Sequence, residues 1–434
     1  MREIFKKIIV GALTLEARLL VSRLKPKILM VTGSVGKTST KDAIFTALNS
    51  FLKVRKSEKS FNTEFGVPLT ILGLKNAWGN PFFWLWNLII GLFRALAISD
   101  YPEWLVLEVG ADHPEDLQKL TKWLKPDVTV VTRLPDIPPH VVYYSSPESL
   151  IEEESVPATK LKEGGTLILN SDDEKVLALG QNCRGKVLTY GLTPKADIYS
   201  LGDEIVYETK HGREVPMGMR FIVVYENNRI SFELHDCLGI QHIYPVLAGV
   251  ATALSLGAKL EKLHEAFETH RAPNGRMRII EGIKGTTIID DSYNSSPVAV
   301  ELALLTLKQL KVSGRRIAAL GDMRELGSYA KEEHQKIGNL AAKICNILIT
   351  VGPLSREIVE GALDTLMDEK NIYQFEDSKT AGKFLEGIIR EGDTVLVKGS
   401  QNTIRMEWLV EEIMAHPENK GKLLVRQDNE WQSR

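Results

Sequence analysis

The sequence predicts an α/β protein made of two successive units, each alternating strands with helices. Two observations carry this. Short apolar runs rich in β-formers recur at residues 27–32 (KILMVT), 104–109 (WLVLEV), 128–132 (VTVVT) and 166–170 (TLILN), with helical spacing between them. That is the pattern of a doubly wound parallel sheet. The alternation then breaks at the turn cluster Arg271-Ala272-Pro273-Asn274-Gly275 and restarts with runs at 285–290, 316–320, 346–351 and 393–397, which marks a second α/β unit.

Taken in order, residues 1–26 begin with basic residues and an apolar patch, as a signal peptide does. Glu16 and Arg18 interrupt the run, however, and no small-residue cleavage site follows. Ile8, Leu13, Leu15, Leu19 and Leu20 suit one side of an amphipathic helix. The expectation is a helix packed on the protein surface, with a membrane-surface helix as the alternative. The strand at 27–32, the turn Gly33-Ser34-Val35-Gly36 and helical spacing over 37–48 form a strand–loop–helix unit. From Asn80 to Ile98 the chain reads NPFFWLWNLIIGLFRALAI, apolar and aromatic but interrupted by Asn87 and Arg94. It is barely long enough to span a bilayer, so a helix packed on the protein is expected, with peripheral membrane or partner docking as the alternative. Residues 114–123 are helical in spacing, residues 198–238 turn to β, and residues 244–256 read as an Ala-rich helix. The expected division is an N-terminal helix (1–26), a central unit (27–272), a C-terminal unit (273–415) and a frayed polar tail from His416 (416–434).

Bulk properties narrow the function. A chain of 434 residues holds two or three domains. A net charge of −2 with no basic stripe excludes a nucleic-acid partner of the usual kind. The three scattered cysteines, Cys183, Cys237 and Cys345, fit a reducing cytoplasm and exclude a disulfide framework or a Cys-based zinc site.

The strongest local signal is Gly33-Ser34-Val35-Gly36-Lys37-Thr38 between a strand and a helix. Backbone N–H groups of such a loop wrap phosphate oxygens, and the helix N-terminus adds a favourable dipole. Lys37 then supplies a charge for the β and γ phosphates and Thr38 a hydroxyl for Mg²⁺. Glu108 ends the strand at 104–109, on the edge that lines the ligand crevice in such sheets, where a carboxylate is a natural Mg²⁺ ligand. In the second unit, Asp290-Asp291-Ser292-Tyr293-Asn294-Ser295-Ser296-Pro297 follows a strand; it suits a binding loop, an Asx-type turn capping the next helix, or both.

These motifs, with LGDMRELG at 320–327 and LVKGS at 396–400, resemble the Mur ligases of peptidoglycan precursor synthesis over most of the chain. The stretch Phe61-Asn62-Thr63-Glu64-Phe65-Gly66-Val67-Pro68 together with LGDMRELG and VKGS is most similar to the MurF type. The resemblance implies a central P-loop ATPase domain with a C-terminal Rossmann-like domain that closes over it. It implies ATP and Mg²⁺ as cofactors and an amide-forming ligation through an acyl phosphate, with D-alanyl-D-alanine joined to a muramoyl peptide. It also implies a cytoplasmic, monomeric enzyme. By the same resemblance Gly33, Ser34, Gly36, Lys37, Thr38 and Ser39 hold the phosphates and Mg²⁺, and Glu108 and His140 ligate Mg²⁺. Arg276 approaches the γ-phosphate from the second unit, Asp291 takes the ribose, Asn294 shares its nucleotide-facing loop, and His242 borders the adenine. Lys398 completes the expected set.

Two departures stand out. The family carries an N-terminal domain that binds uridine diphosphate, and only the stretch before Lys27 stands in its place. Most members also place a carbamylated lysine downstream of the metal histidine; an ungapped count puts Glu154 there, a carboxylate that could serve as a metal ligand without bound CO₂. The alternative is that Glu152, Glu153 and Glu154 form a solvated helix face. Other functional readings are a different Mur-type peptide or polyglutamyl ligase, and a nucleotide-binding scaffold that has lost ligation.

Overall fold

The structure, a computed structural model, describes residues 2–58, 64–210, 212–401, 404–428 and 431. Phe61, Asn62 and Thr63 of the expected family motif lie outside the described residues.

Nine strands form the first sheet: β1 (Lys27–Thr32), β2 (Val54–Lys56), β3 (Trp104–Glu108), β4 (Val128–Val131), β5 (Thr166–Asn170), β6 (Lys186–Gly191), β7 (Ile198–Lys210), β8 (Arg213–Tyr225) and β9 (Asn228–His235). Their order is β2-β3-β1-β4-β5-β6-β7-β8-β9. The sheet is parallel through β7 and ends in an antiparallel meander. Six strands form the second: β10 (Arg278–Gly282), β11 (Thr286–Asp291), β12 (Arg316–Gly321), β13 (Ile347–Val351), β14 (Ile372–Phe375) and β15 (Thr394–Lys398), in the order β10-β11-β15-β12-β13-β14. All its pairs are parallel except β10 with β11.

The helices used below are α1 (Arg2–Leu24), α2 (Lys37–Asn49), α3 (Gly66–Leu72), α4 (Pro81–Ala97), α5 (Asp116–Thr121) and α6 (Pro147–Thr159). Strand β1 is buried on both faces, which is why it reads as an unbroken apolar run rather than an alternation. Leu29 and Val31 pack in the core shared with α2 and the helix Ile243–Ser255. Ile28 and Met30 pack on the opposite side with Leu13 and Leu20 of α1, Leu69 of α3 and Trp84 of α4. The fold class expected from the sequence is therefore the observed one, with β2, β6, β10 and β14 added. These four are short or partly exposed strands without the clean apolar run of their neighbours.

Two expectations need correction. The amphipathic pattern of α1 divides differently from the sequence reading: Leu13 and Leu20 are buried with Ile9 and Ala17, whereas Ile8, Leu15 and Leu19 face outward. The tail is not frayed through its described part. Leu424 and Val425 are buried, and Arg426 donates to the carbonyls of Ser292 and Tyr293 while pairing with Glu407 at 2.8 Å. Polar composition hid this because its anchor is a buried ion pair, not an apolar stripe.

Candidate active site

Both sheets direct strand C-terminal ends at one cleft of about 1050 Å³. On one side stands the loop after β1. Gly33 and Gly36 have φ values of 118° and 90°, which favour glycine. A Cβ on Gly33 would fall 2.3 Å from Thr132 Oγ1, so the loop can lie against β4 only with glycine there. Ser34 N donates to Arg133 O at 2.8 Å and pins the loop. Gly36 caps α2 without any side-chain acceptor, so the first N–H groups of a 13-residue helix remain for an anion. Ser34, Gly36, Lys37 and Thr38 line the cleft, and the Ser34 hydroxyl is buried without a hydrogen-bond partner. Gly33 and Ser39 are not among the lining residues; Gly33 shapes the loop from behind.

Parallel pairing of β1 with β3 sets Val31 beside Glu108 and so delivers the carboxylate to the start of α2. Thr38 Oγ1 donates to Glu108 Oε1 at 3.0 Å. Glu108 Oε2 has no hydrogen bond; its nearest cation is Lys41 Nζ at 3.5 Å. Lys41, only 1% exposed, escaped the sequence reading. Its signal was the four-residue spacing from Lys37, which places both on one helix face.

Lys37 Nζ donates to Gly33 O and lies 3.4 Å from Glu154 Oε1. Glu154 itself is buried behind the loop, and its two oxygens accept from Thr32 Oγ1 (2.8 Å), Gly33 N (3.1 Å), Ala111 N (3.3 Å) and Lys37. It does not line the cleft. The three consecutive glutamates are thus not one acidic face: Glu152 is exposed, Glu153 accepts from Leu117 N and Gln118 N in α5, and Glu154 braces the glycine loop. In this arrangement Glu154, expected as a metal ligand, braces the glycine loop through these donors.

His140 adopts φ 73° and lines the cleft. Its Nδ1 lies 2.6 Å from Glu325 Oε2, in the loop after β12, and its Nε2 lies 4.0 Å from Asp112 Oδ1. With the carboxylate accepting, Nδ1 carries a proton and Nε2 turns toward the side of Asp112. The hydrogen bond from His140 holds the Glu325 carboxyl below its usual range.

Across the cleft, the Arg276 guanidinium stacks 4.3 Å from the Tyr293 ring centroid, and its buried Nε has no hydrogen-bond partner. Asn294 lines the cleft and accepts through Oδ1 from Gln401 N. Asp291 and His242 do not line it. Pairing of β11 with β15 sets Asp291 beside Lys398, whose Nζ donates to Asp291 Oδ2 at 2.6 Å and to Asn294 O at 2.9 Å. Burial pushes the Lys398 pKa down and Asp291 opposes the shift. Met277 N donates to Asp291 Oδ1. His242 is buried, with Nε2 2.9 Å from Arg276 O; burial pushes its pKa down to about 4, so it is neutral and donates from Nε2. In this arrangement Asp291, expected at the ribose, holds the Asn294 backbone with Lys398, and His242, expected at the adenine, holds that of Arg276.

A magnesium ion fits the Thr38–Glu108 pair by one observation, the buried Glu108 oxygen left without a hydrogen bond. Among the described residues no group of three or more His, Cys, Asp or Glu side chains could hold a metal alone. Mg²⁺ usually takes one or two protein ligands and completes its shell with phosphate oxygens and water.

A second cavity, of about 480 Å³, adjoins the cleft and is lined by Tyr143, Asn294, Arg324, Glu325 and Ser400 among others.

Comparison with known proteins agrees with this architecture. The family model of the Mur ligase middle domain matches residues 86–253, and that of the Mur ligase, glutamate ligase domain matches residues 275–401. UDP-N-acetylmuramoyl-tripeptide–D-alanyl-D-alanine ligase of Bacillus subtilis (strain 168) is 26% identical over 403 residues, covering 92% of this chain and 79% of that protein. The structure of MurF ligase from Thermotoga maritima in complex with ADP superposes with a TM-score of 0.73 at 22% identity, covering 95% of this chain and 84% of the other. MurF from Acinetobacter baumannii gives a TM-score of 0.74 at 20% identity, covering 93% and 79%. Two domain models in the family's order and relatives aligned along nearly the whole chain lead to one conclusion: the chain belongs to the Mur ligase family.

Proposed function

We propose that the chain is an ATP-dependent amide-forming ligase that joins D-alanyl-D-alanine to the carboxylate of a muramoyl tripeptide, in line with relatives named UDP-N-acetylmuramoyl-tripeptide–D-alanyl-D-alanine ligase. The observation that carries the reading is the two-sided cleft. An uncapped helix N-terminus with Lys37, Thr38 and Glu108 faces an Arg276 with an unpartnered buried Nε and the Asn294 loop. A triphosphate seated on α2 would present its γ-phosphate between them.

The acceptor carboxylate oxygen attacks the γ-phosphorus as the bond to the β-phosphate oxygen breaks, giving an acyl phosphate and ADP. The neutral amine of the dipeptide then attacks the acyl carbon. Inorganic phosphate leaves, the amide forms and the amine loses one proton. Lys37 supplies positive charge to the phosphates, and Arg276 supplies it from the second unit. Thr38 and Glu108, with His140 through Nε2, would hold Mg²⁺, whose charge offsets that of the phosphates when bound. Glu154, Asp291, Lys398 and His242 keep the loops in register. The second cavity, with Arg324 on its wall, suits the dipeptide carboxylate. Closing of the second unit over the cleft would exclude the water that would hydrolyse the acyl phosphate.

The test is phosphate release with ATP and Mg²⁺, alone and with each substrate. Release that needs the muramoyl tripeptide, together with an amide product identified by mass spectrometry when D-alanyl-D-alanine is added, supports the reading. ATP hydrolysis indifferent to both substrates, or no hydrolysis at all, refutes it.

A further inference from the structure

Helix α4 is a surface helix with its polarity inverted. Trp84, Asn87, Gly91 and Ala95 form its buried side. The opposite side carries Phe82, Leu85, Trp86, Ile89, Leu92, Phe93 and Leu96, and these are exposed: Phe82 by 83%, Phe93 by 64% and Trp86 by 57%. A surface helix ordinarily turns charge to solvent; this one has no acidic residue at all. Helix α1 lies against it. Arg23 donates to the carbonyls of Arg94, Ala95 and Ile98, and Gly91 lets Glu16 approach so closely that a Cβ there would fall 2.1 Å from its Oε2. Along α1 the exposed Ile8, Leu15 and Leu19 follow at intervals of seven and four, so they share one stripe. By helical periodicity that stripe borders the edge at Glu16 and Arg23, so the apolar faces of the two helices adjoin. Lys7 and Arg18, eleven residues apart and both exposed, share the next stripe of α1. Glu16, the one acid among the described side chains of α1, is buried.

We infer that the joined face of α1 and α4 is a docking surface for an anionic phospholipid membrane. The side chains fit an interface: aromatic rings and branched aliphatics to enter the acyl boundary, with lysine and arginine beside them to meet lipid phosphates. A second copy would leave the cationic stripe without a counterpart, because among the described side chains neither helix exposes an acid. Among the described residues no helix is long and apolar enough to cross a membrane, so the contact lies on the bilayer surface. The placement bears on the chemistry nearby. Asn76 and Trp78 line the cleft, and Asn80 caps α4 through a bond from Phe83 N, so docking through α4 would hold the cleft rim beside the membrane. The inference stands independently of the ligase reading, since it concerns a face that makes no part of the catalytic machinery.

Co-sedimentation of the full chain with vesicles tests it, using phosphatidylcholine alone and phosphatidylcholine with phosphatidylglycerol. The parent is expected to sediment with the anionic vesicles, less as salt is raised, and only weakly with neutral ones. Ile89→Ser/Phe93→Ser should lower that binding by about ten-fold or more, and Lys7→Glu/Arg18→Glu should abolish the preference for anionic lipid. Unchanged circular dichroism and unchanged nucleotide affinity in both variants show that they fold. Trp86 fluorescence quenched by brominated acyl chains, and lost in Trp86→Phe, would place the face in the bilayer. No sedimentation with either vesicle, equal binding to both, variants that bind like the parent, or a parent dimer in sedimentation velocity that Ile89→Ser/Phe93→Ser dissolves would each overturn the inference.

Discussion

His140 Nδ1 lies 2.6 Å from Glu325 Oε2, and this contact joins a loop that follows β4 to one that follows β12 across the cleft. A carboxylate on one ring nitrogen fixes the tautomer and leaves the other to a metal, the arrangement by which outer carboxylates tune histidine ligands. On the proposed reading, Glu325 in the second sheet unit would orient a metal-binding histidine in the first. Glu325→Ala is expected to raise the Mg²⁺ concentration for half-maximal turnover by about ten-fold, with a smaller effect from Glu325→Gln, which keeps the acceptor. A magnesium titration identical to the parent's in both variants would show that the contact merely closes a surface.

Lys37→Ala is expected to lower ATP turnover by about 10²-fold or more while the fold stands. The Glu154 carboxylate keeps Thr32, Gly33 N and Ala111 N as donors after the change. Single-turnover ATP consumption by the purified variant checks this, and near-parental rates in a folded variant would remove Lys37 from the mechanism.

Glu154→Gln separates bracing from metal ligation. An amide in this pocket must turn its NH₂ toward donors that now meet an oxygen, at a cost of about 1–3 kcal/mol. The urea midpoint should fall, while the Mg²⁺ dependence of the remaining activity should not move and bicarbonate should have no effect on the parent. Glu152→Gln, at an exposed position, is the neutral control. A shifted Mg²⁺ dependence with unchanged stability would return Glu154 to the metal site.

Arg426 ties the tail to the loop that carries Tyr293 and Asn294. Arg426→Ala removes the donors to Ser292 O and Tyr293 O, while Glu407 keeps Arg405. The loop loosens, and the dissociation constant of a non-hydrolysable ATP analogue should rise roughly ten-fold. Calorimetric titration reads this directly; an unchanged constant would make the tail a passive cover.

Glu16 contributes a pH dependence of its own. Burial pushes its carboxyl up to about 7 from the ordinary 4.5, with one oxygen lacking any hydrogen bond. The folded state therefore binds more protons than the unfolded one between those values, and stability falls as pH rises from about 4.5 to about 7. Glu16→Gln should leave stability nearly unchanged at pH 4.5 and raise it by about 1–3 kcal/mol at pH 8. Equal differences at the two pH values would show that the carboxyl is solvated.

How much of this was legible in the sequence depends on the range of the interaction. The strand–loop–helix unit at 27–48, and the placing of Lys37, Thr38 and Glu108 at one strand edge, follow from local rules. Apolar runs specify buried parallel strands, glycines permit φ near 100°, and parallel strands bring their C-terminal ends to one side. Motif resemblance added the family. What the sequence left open was every choice made across long separations. Glu154 and Glu153 stand next to each other in the chain, yet one braces the glycine loop and the other caps α5, because α6 turns them to different neighbours. Lys41 became a partner of Glu108 only once α2 was set against β3. The tail read as polar and loose because the partner of Arg426, Glu407, is buried by packing that composition does not encode. Helix α4 gave its apolarity to the sequence reading, but which of its faces is covered was decided by α1 and α3, since periodicity finds faces only where one side is polar.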